Sequence, residues 1–278
     1  MISIVVCSIN IQYFEGLKKN IQNTIGSIEY EIIRIDNLKN NWAITKAYNY
    51  GYEKAIYNNL LFIHEDIFFK NNNWGQVLVD ELKNKEVGLI GVAGANYKSR
   101  FPSAFWHLPK DNLKMNVIQH FKNKEKEFVK YGFSNSNDVK VVDGVFLGLK
   151  KDLTIKFNDK IKGFHCYDLG VSLDILNKGY RVFVTDKILI EHYSIGTTDK
   201  KFLENYILFH KLYAKKIKKN ITKIKNLDKH ANQKFVQLCI ENRFFSINLL
   251  IKSLKLNLLS QINFNYLKMG VVKLLKNN

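Results

Sequence analysis

Short apolar runs that end in polar residues recur along the first two hundred positions and set the expected order of elements. Ile2-Ser3-Ile4-Val5-Val6-Cys7 gives way to Ser8-Ile9-Asn10, Glu31-Ile32-Ile33-Arg34-Ile35 to Asp36-Asn37, and Leu60-Leu61-Phe62-Ile63 to His64-Glu65-Asp66. Runs of this length and apolarity are expected of strands buried on both faces. Segments 13–25, 43–58 and 74–84 have helical length, and in the second Ala43, Ala47, Tyr50 and Lys54 fall along one face. Val87 to Val92 is a further buried strand by the same pattern. The alternation predicts an α/β fold, a mostly parallel sheet with helices on both faces. Its strand-end polar groups would line one edge, where ligand clefts form in open α/β sheets.

Beyond Val92 the pattern weakens. Residues 93–140 read as loop-rich and hold both prolines, Pro102 and Pro109, with Trp106 and His107. Strand character resumes from Val141 to Leu149, interrupted by Asp143-Gly144. Tyr167-Asp168 opens an amphipathic helix with Leu169, Leu173 and Leu176 on one face, and Gly179 suits its C-terminal cap. Tyr180 to Val184 starts another strand, and Ile188-Leu189-Ile190-Glu191 ends at His192. Residues 199–219 and 232–259 read as basic amphipathic helices.

Charge sharpens that division. The net charge is +18, and residues 201–278 carry 16 Lys+Arg against 3 Asp+Glu. On this shift the chain divides into a domain 1–200 and a basic helical extension 201–278. A basic chain raises the question of nucleic acid, but no zinc spacing, helix-turn-helix signal or RNP-like aromatic motif accompanies the charge, so no nucleic-acid partner is expected. The first strand is followed by Ser8-Ile9-Asn10-Ile11-Gln12 rather than a GxGxxG turn, which argues against a dinucleotide-dependent dehydrogenase. Three separated cysteines, Cys7, Cys166 and Cys239, fit a reducing compartment. Neither a signal peptide nor a spanning segment is legible, since Phe244 to Leu259 is broken by Lys252 and Lys255. A cytoplasmic protein is expected.

Taken in order, Ile2–Asn10, Ile32–Asn37, Ala47-Tyr48-Asn49-Tyr50-Gly51, Phe62–Asp66, Val142-Asp143-Gly144 and Gly163–His192 resemble the GT-A-fold glycosyltransferases, closest to the broad family 2 group. The resemblance covers roughly residues 1–200 and implies a Rossmann-like GT-A sheet, a nucleotide-sugar donor and a divalent cation, Mn2+ or Mg2+. The family's metal-binding DxD corresponds to His64-Glu65-Asp66, which makes Asp66 and His64 candidate ligands, with His192 a third. An imidazole suits Mn2+ better than Mg2+. The family's acidic pair is reduced here to Tyr167-Asp168, leaving Asp168 as the candidate base of an inverting transfer, although an Asp opening a helix is also an ordinary N-cap. Ser8, Asn10, Asp36, Lys46 and Asn49 are implied near the nucleotide, where Asp36 hints at UDP, although a strand-end Asp is also a common turn former. Asp143 and Gly144 are implied beside the sugar or acceptor. Trp106 and His107 could form an acceptor platform or plug the core. The implied acceptor is a glycan, a lipid-linked or a protein-linked group, in bacterial polysaccharide or glycoconjugate assembly. The basic tail suggests contact with the inner face of an anionic membrane, or only a solvated face. The rival reading is a degenerate or non-catalytic GT-A-like protein that binds membrane or nucleic acid through those helices.

Overall fold

The computed structural model describes residues 1–276 except 122, 123, 134, 135, 194, 195 and 197. Strand β1 (Ile2–Ser8) is buried along nearly its whole length, as its mainly apolar run requires, and helix α1 (Ile11–Thr24) follows. Asn10 starts that helix by accepting the Gln12 and Tyr13 N–H groups, and Phe14, Leu17 and Ile21 form its buried face. Then come β2 (Tyr30–Asp36), the single turn α2 (Asn37–Asn40), α3 (Ile44–Lys54), β3 (Asn59–Ile63), β4 (Ile67–Phe69), α4 (Trp74–Leu82), β5 (Val87–Gly91) and β6 (Ala93–Ala95). After β7 (Leu113–Phe121), β8 (Lys124–Tyr131), β9 (Asp138–Val139), β10 (Val141–Val142) and β11 (Phe146–Lys150) lie α5 (Tyr167–Asn177), β12 (Arg181–Val184) and β13 (Ile190–His192). Helices α6 (Lys200–Asn220), α7 (Lys225–Glu241), α8 (Ile247–Leu256) and α9 (Gln261–Lys276) complete the chain.

Two sheets share the core. The first runs β2-β1-β3-β11-β5-β12-β9 and the second β10-β6-β7-β13-β4, with β8 paired to β7. In the first sheet β2, β1 and β3 are parallel, as are β5 and β12, while β11 runs antiparallel between β3 and β5, and β9 antiparallel to β12. The sheet is therefore mixed where the strand–helix alternation led us to expect it mostly parallel. Ile2, Ile4 and Val6 face the cluster formed with α1 and α4, whereas Val5 faces α3 and α5. Helix α3 turns Ile44, Ala47, Tyr48 and Gly51 inward and leaves Tyr50 exposed, a different face from the one inferred from spacing. Gly51 lies so close to β1 that a Cβ there would fall 2.2 Å from Val5 Cγ1.

Several expectations change in the second half of the chain. The segment 93–140 contains β6 and the β7–β8 hairpin, and the run 141–149 is split between the two sheets at Asp143-Gly144. The segment 232–259 holds the end of α7 and all of α8, separated by a turn, and α9 follows. A hydrophobic cluster joins Ala95, Leu169 and Leu173 to Phe209, Phe235 and Tyr266. Among the described residues no helix is long and apolar enough to cross a membrane.

Candidate functional site

The chain passes from one sheet to the other at His64-Glu65-Asp66, between β3 and β4, and at Asp143-Gly144, between β10 and β11. Residues at such crossings cannot continue either ladder, so their side chains are free to meet. The two crossings lie side by side, with the His64 N–H donating to the Val145 carbonyl at 3.4 Å. Pairing of β13 with β4 then sets His192 opposite Ile67, beside Asp66. His64, Asp66 and His192 thereby place one ligand atom each within 4.8 Å of one another.

The hydrogen bonds of the two histidines decide what those atoms offer. His192 Nδ1 is 3.0 Å from Gln119 Oε1, a carbonyl that can only accept, so Nδ1 carries the proton. The lone pair is left on Nε2, a buried atom without a hydrogen-bond partner, 3.7 Å from Asp66 Oδ1. Burial, with the neighbouring His64 adding to it, lowers the His192 pKa to about 4 and keeps the ring neutral. At His64 a hydroxyl relay does the same work. Tyr48 Oη donates to the Ile63 carbonyl, so Tyr167 Oη donates to Tyr48 and accepts from His64 Nε2 at 2.7 Å. The His64 lone pair then sits on Nδ1, 3.9 Å from the same Asp66 oxygen. Two imidazole lone pairs converging on a carboxylate oxygen repel one another unless a cation lies between them, and the donor set fits a divalent transition ion.

Asp168 lies on the other side of Tyr167, at the start of α5. Its carboxylate accepts the Gly144 N–H at 3.1 Å and its neighbour Leu169 N–H at 2.8 Å. Burial pushes its pKa up to about 7, and the charge of Asp143 adds to the shift against those two N–H groups and the residue's own. Gly144 permits this packing, since a Cβ there would fall 2.1 Å from Tyr167 Oη. Asp143 accepts the Val145 N–H at 2.9 Å. Glu65 points the other way and accepts the N–H groups of Ile9 and Asn10 at 3.1 and 3.0 Å, tying β1 to the crossing.

A cleft of about 320 Å³ opens here, lined by Cys7, Ile9, Ile44, Tyr48, Phe164 and Tyr167 together with His64, Glu65 and Asp66. Burial first, then the Glu65 charge, pushes the Cys7 thiol up to about 12, so it is no nucleophile. The remaining candidates have other partners. Ser8 Oγ accepts from Arg34 Nε at 3.2 Å, Asn10 and Asp36 cap α1 and α2, and Asn49 bonds both the N–H and the carbonyl of Phe157 at 2.8 Å. The Lys46 ammonium lies 4.4 Å from the Trp42 ring centroid. Trp106 is 44% exposed, whereas His107 is buried against Phe235 of α7. The sequence reading missed Tyr48, Tyr167 and Gln119 as partners of the histidines. Tyr167 stands where the family's second acid is expected, and that substitution was the available signal.

A profile described as "Glycosyltransferase like family" matches residues 3–219. No curated protein matches the chain. Among solved structures, GalNAc-T7 with UDP, GalNAc and Mn2+ aligns with a TM-score of 0.51 at 9% identity, over 94% of this chain and 58% of that one. The chain thus spans less than two thirds of that structure's length. TarS 1-349 of S. aureus aligns at 0.48 and 11% identity, over 96% of this chain and 89% of that one. At such identities the likeness is one of fold. The profile itself covers most of the sequence, both sheets included, and on that ground the chain belongs to the glycosyltransferase-like family and carries a GT-A fold.

Proposed function

We propose that this protein transfers a glycosyl group from a nucleotide-sugar to an acceptor hydroxyl, with inversion, using a divalent cation held by His64, Asp66 and His192. The observation that carries the reading is the convergence of two imidazole lone pairs on Asp66 Oδ1 at 3.9 and 3.7 Å. Two nitrogens and one oxygen favour Mn2+ over Mg2+, in keeping with the UDP and Mn2+ in the GalNAc-T7 structure. When bound, the cation would neutralise charge on the departing diphosphate.

The chain's own residues do the rest. The aromatic and apolar walls of the cleft suit a nucleoside, and a UDP-sugar is the favoured donor. Ser8, Asn10, Asp36 and Asn49 shape that region through the bonds described above, and exposed Lys46 stands ready for phosphate. Asp168 takes the acceptor hydroxyl's proton as its oxygen attacks the anomeric carbon and the bond to the diphosphate breaks on the opposite face. A carboxylate with a pKa of about 7 is matched to that task near neutrality. Asp143 and Gly144 border the sugar, and Trp106 offers an aromatic face to a glycan, lipid-linked or protein-linked acceptor.

Calorimetry with UDP-, GDP-, CMP- and dTDP-sugars, with and without Mn2+, tests this reading. One donor should bind only with the metal, and Asp66→Ala should abolish that binding. Tyr167→Phe keeps all three ligands but frees His64, and should weaken Mn2+ binding about 10–100-fold. A folded protein that binds no donor, or binds one regardless of Mn2+ and Asp66, would overturn the proposal.

A further inference from the structure

Helices α8 and α9 turn apolar rows outward. On α9 Phe264, Leu267, Val271, Val272 and Leu275 are all exposed and recur at spacings of three and four, so they share one face. The opposite face is the packed one, where Asn263 and Tyr266 are buried and Gly270 is pressed against the Phe245 ring. The core thus fixes which way α9 faces, and its apolar row is not the core row. On α8 Ile247 and Ile251 are exposed opposite buried Leu249, Leu250 and Ser253. The turn between the helices presents Leu258 and Leu259, the latter 95% exposed. Among the described residues, nine of the 20 exposed large hydrophobic side chains thereby fall between 247 and 275, a concentration that scattered surface apolarity does not give.

Charge selects what covers this surface. From residue 242 to 278 the chain has six basic side chains, Arg243, Lys252, Lys255, Lys268, Lys273 and Lys276, and no Asp or Glu. Lys268 holds its ammonium 4.6 Å from the Phe264 ring centroid, within the apolar row itself. A second copy of the chain would set cations against cations in a molecule already at +18. Nucleic acid would match the charge but leave the leucines and valines in water. An anionic lipid surface satisfies both, with apolar side chains in the acyl boundary and lysines at the headgroups. At 16 residues, α9 is too short to span a bilayer, so it would lie in the interfacial plane.

We infer that the outer face of α8, α9 and their connecting turn is a docking surface for an anionic membrane, a property independent of the transfer chemistry. The test is co-sedimentation of the full chain with vesicles of phosphatidylcholine alone or mixed with phosphatidylglycerol. Binding to the anionic vesicles should be at least about tenfold stronger and should weaken with salt. Leu259→Asp with Val271→Asp should abolish it without lowering the thermal midpoint, because both side chains are exposed. Lys268→Ser with Lys273→Ser should reduce both the binding and its salt dependence. Retention in the supernatant with anionic vesicles, equal binding to both vesicle types, or binding unchanged by the aspartates would overturn the inference. So would light scattering that shows a dimer dissolved by those aspartates, which would assign the face to a second copy.

Discussion

Asp168 sits between three backbone N–H groups and a second carboxylate, and these pull its proton affinity in opposite directions. Burial and Asp143 prevail, raising the pKa from 3.8 to about 7. A raised acid pKa means that the folded chain holds the proton more tightly than the unfolded chain does. The associated stability is fully present below pH 3.8 and is lost as pH rises through about 7. Asp168→Asn cannot ionise, so its melting temperature should gain on the wild type as pH rises through that window, while transfer falls about 10²–10⁴-fold. Wild-type transfer should itself rise with pH through about 7, where the base form appears. Thermal melts and rates across one pH series check both. At this scale the positions of His64, Asp66 and His192 were legible, because polar residues at strand ends stand out from apolar runs, and Asp168 stood out as the acid that opens a helix. It did not show which imidazole nitrogen faces Asp66, since that depends on Gln119 and on the Tyr48–Tyr167 relay, which are remote in sequence from the histidines they bond.

The elements that place the cluster are held by a second group of charges. Glu191 of β13 is buried, and it accepts from Lys70 beyond β4 at 3.0 Å, Lys126 of β8 at 2.7 Å and His120 of β7 at 2.9 Å. One carboxylate thus ties together the strands flanking His192. Burial alone would raise its pKa, but the hydrogen bonds from Lys126, His120 and Lys70 outweigh it and hold the carboxyl at about 2. The sign is opposite to that of Asp168. Its stabilisation is present above pH 4.5 and is lost as pH falls from there toward 2. Glu191→Gln should cost about 1–3 kcal/mol at neutral pH, toward the lower end because the cations are partly exposed. It should also flatten the acid limb of stability measured by urea melts. Little of this arrangement was readable beforehand. Residues 113–121 alternate only loosely, with Asn116 and Gln119 spent on buried hydrogen bonds, so a strand hairpin resembled a polar loop. Strands β1 and β3 were readable because they are buried on both faces, and β2, half-buried at the sheet edge, because its apolar run ends at Asp36.

Packing at the scale of the molecule joins what composition separates. The charge changes sharply after residue 200, yet Leu169 and Leu173 of α5 share a hydrophobic cluster with Phe202, Phe209, Tyr213 and Phe235 of α6 and α7. Polar groups cross the same junction. Buried Asp228 of α7 accepts from Tyr97 Oη at 2.9 Å, Ser99 Oγ at 2.9 Å and the Arg100 N–H at 2.8 Å, which fixes the loop leading to Trp106. Buried Lys98 is 3.0 Å from Ser103 Oγ and 2.9 Å from His210 Nε2 of α6, and burial lowers its pKa to about 7. Removing α6 and α7 would uncover the apolar face of α5 and strand these groups together, and buried polar groups without partners are costly. A chain ending at residue 200 is therefore expected to expose apolar surface, bind a hydrophobic dye and show no cooperative thermal transition. The full chain should melt in a single transition. A truncated chain that melted cooperatively and still bound donor would show that the basic helices are an accessory to the fold rather than a wall of it.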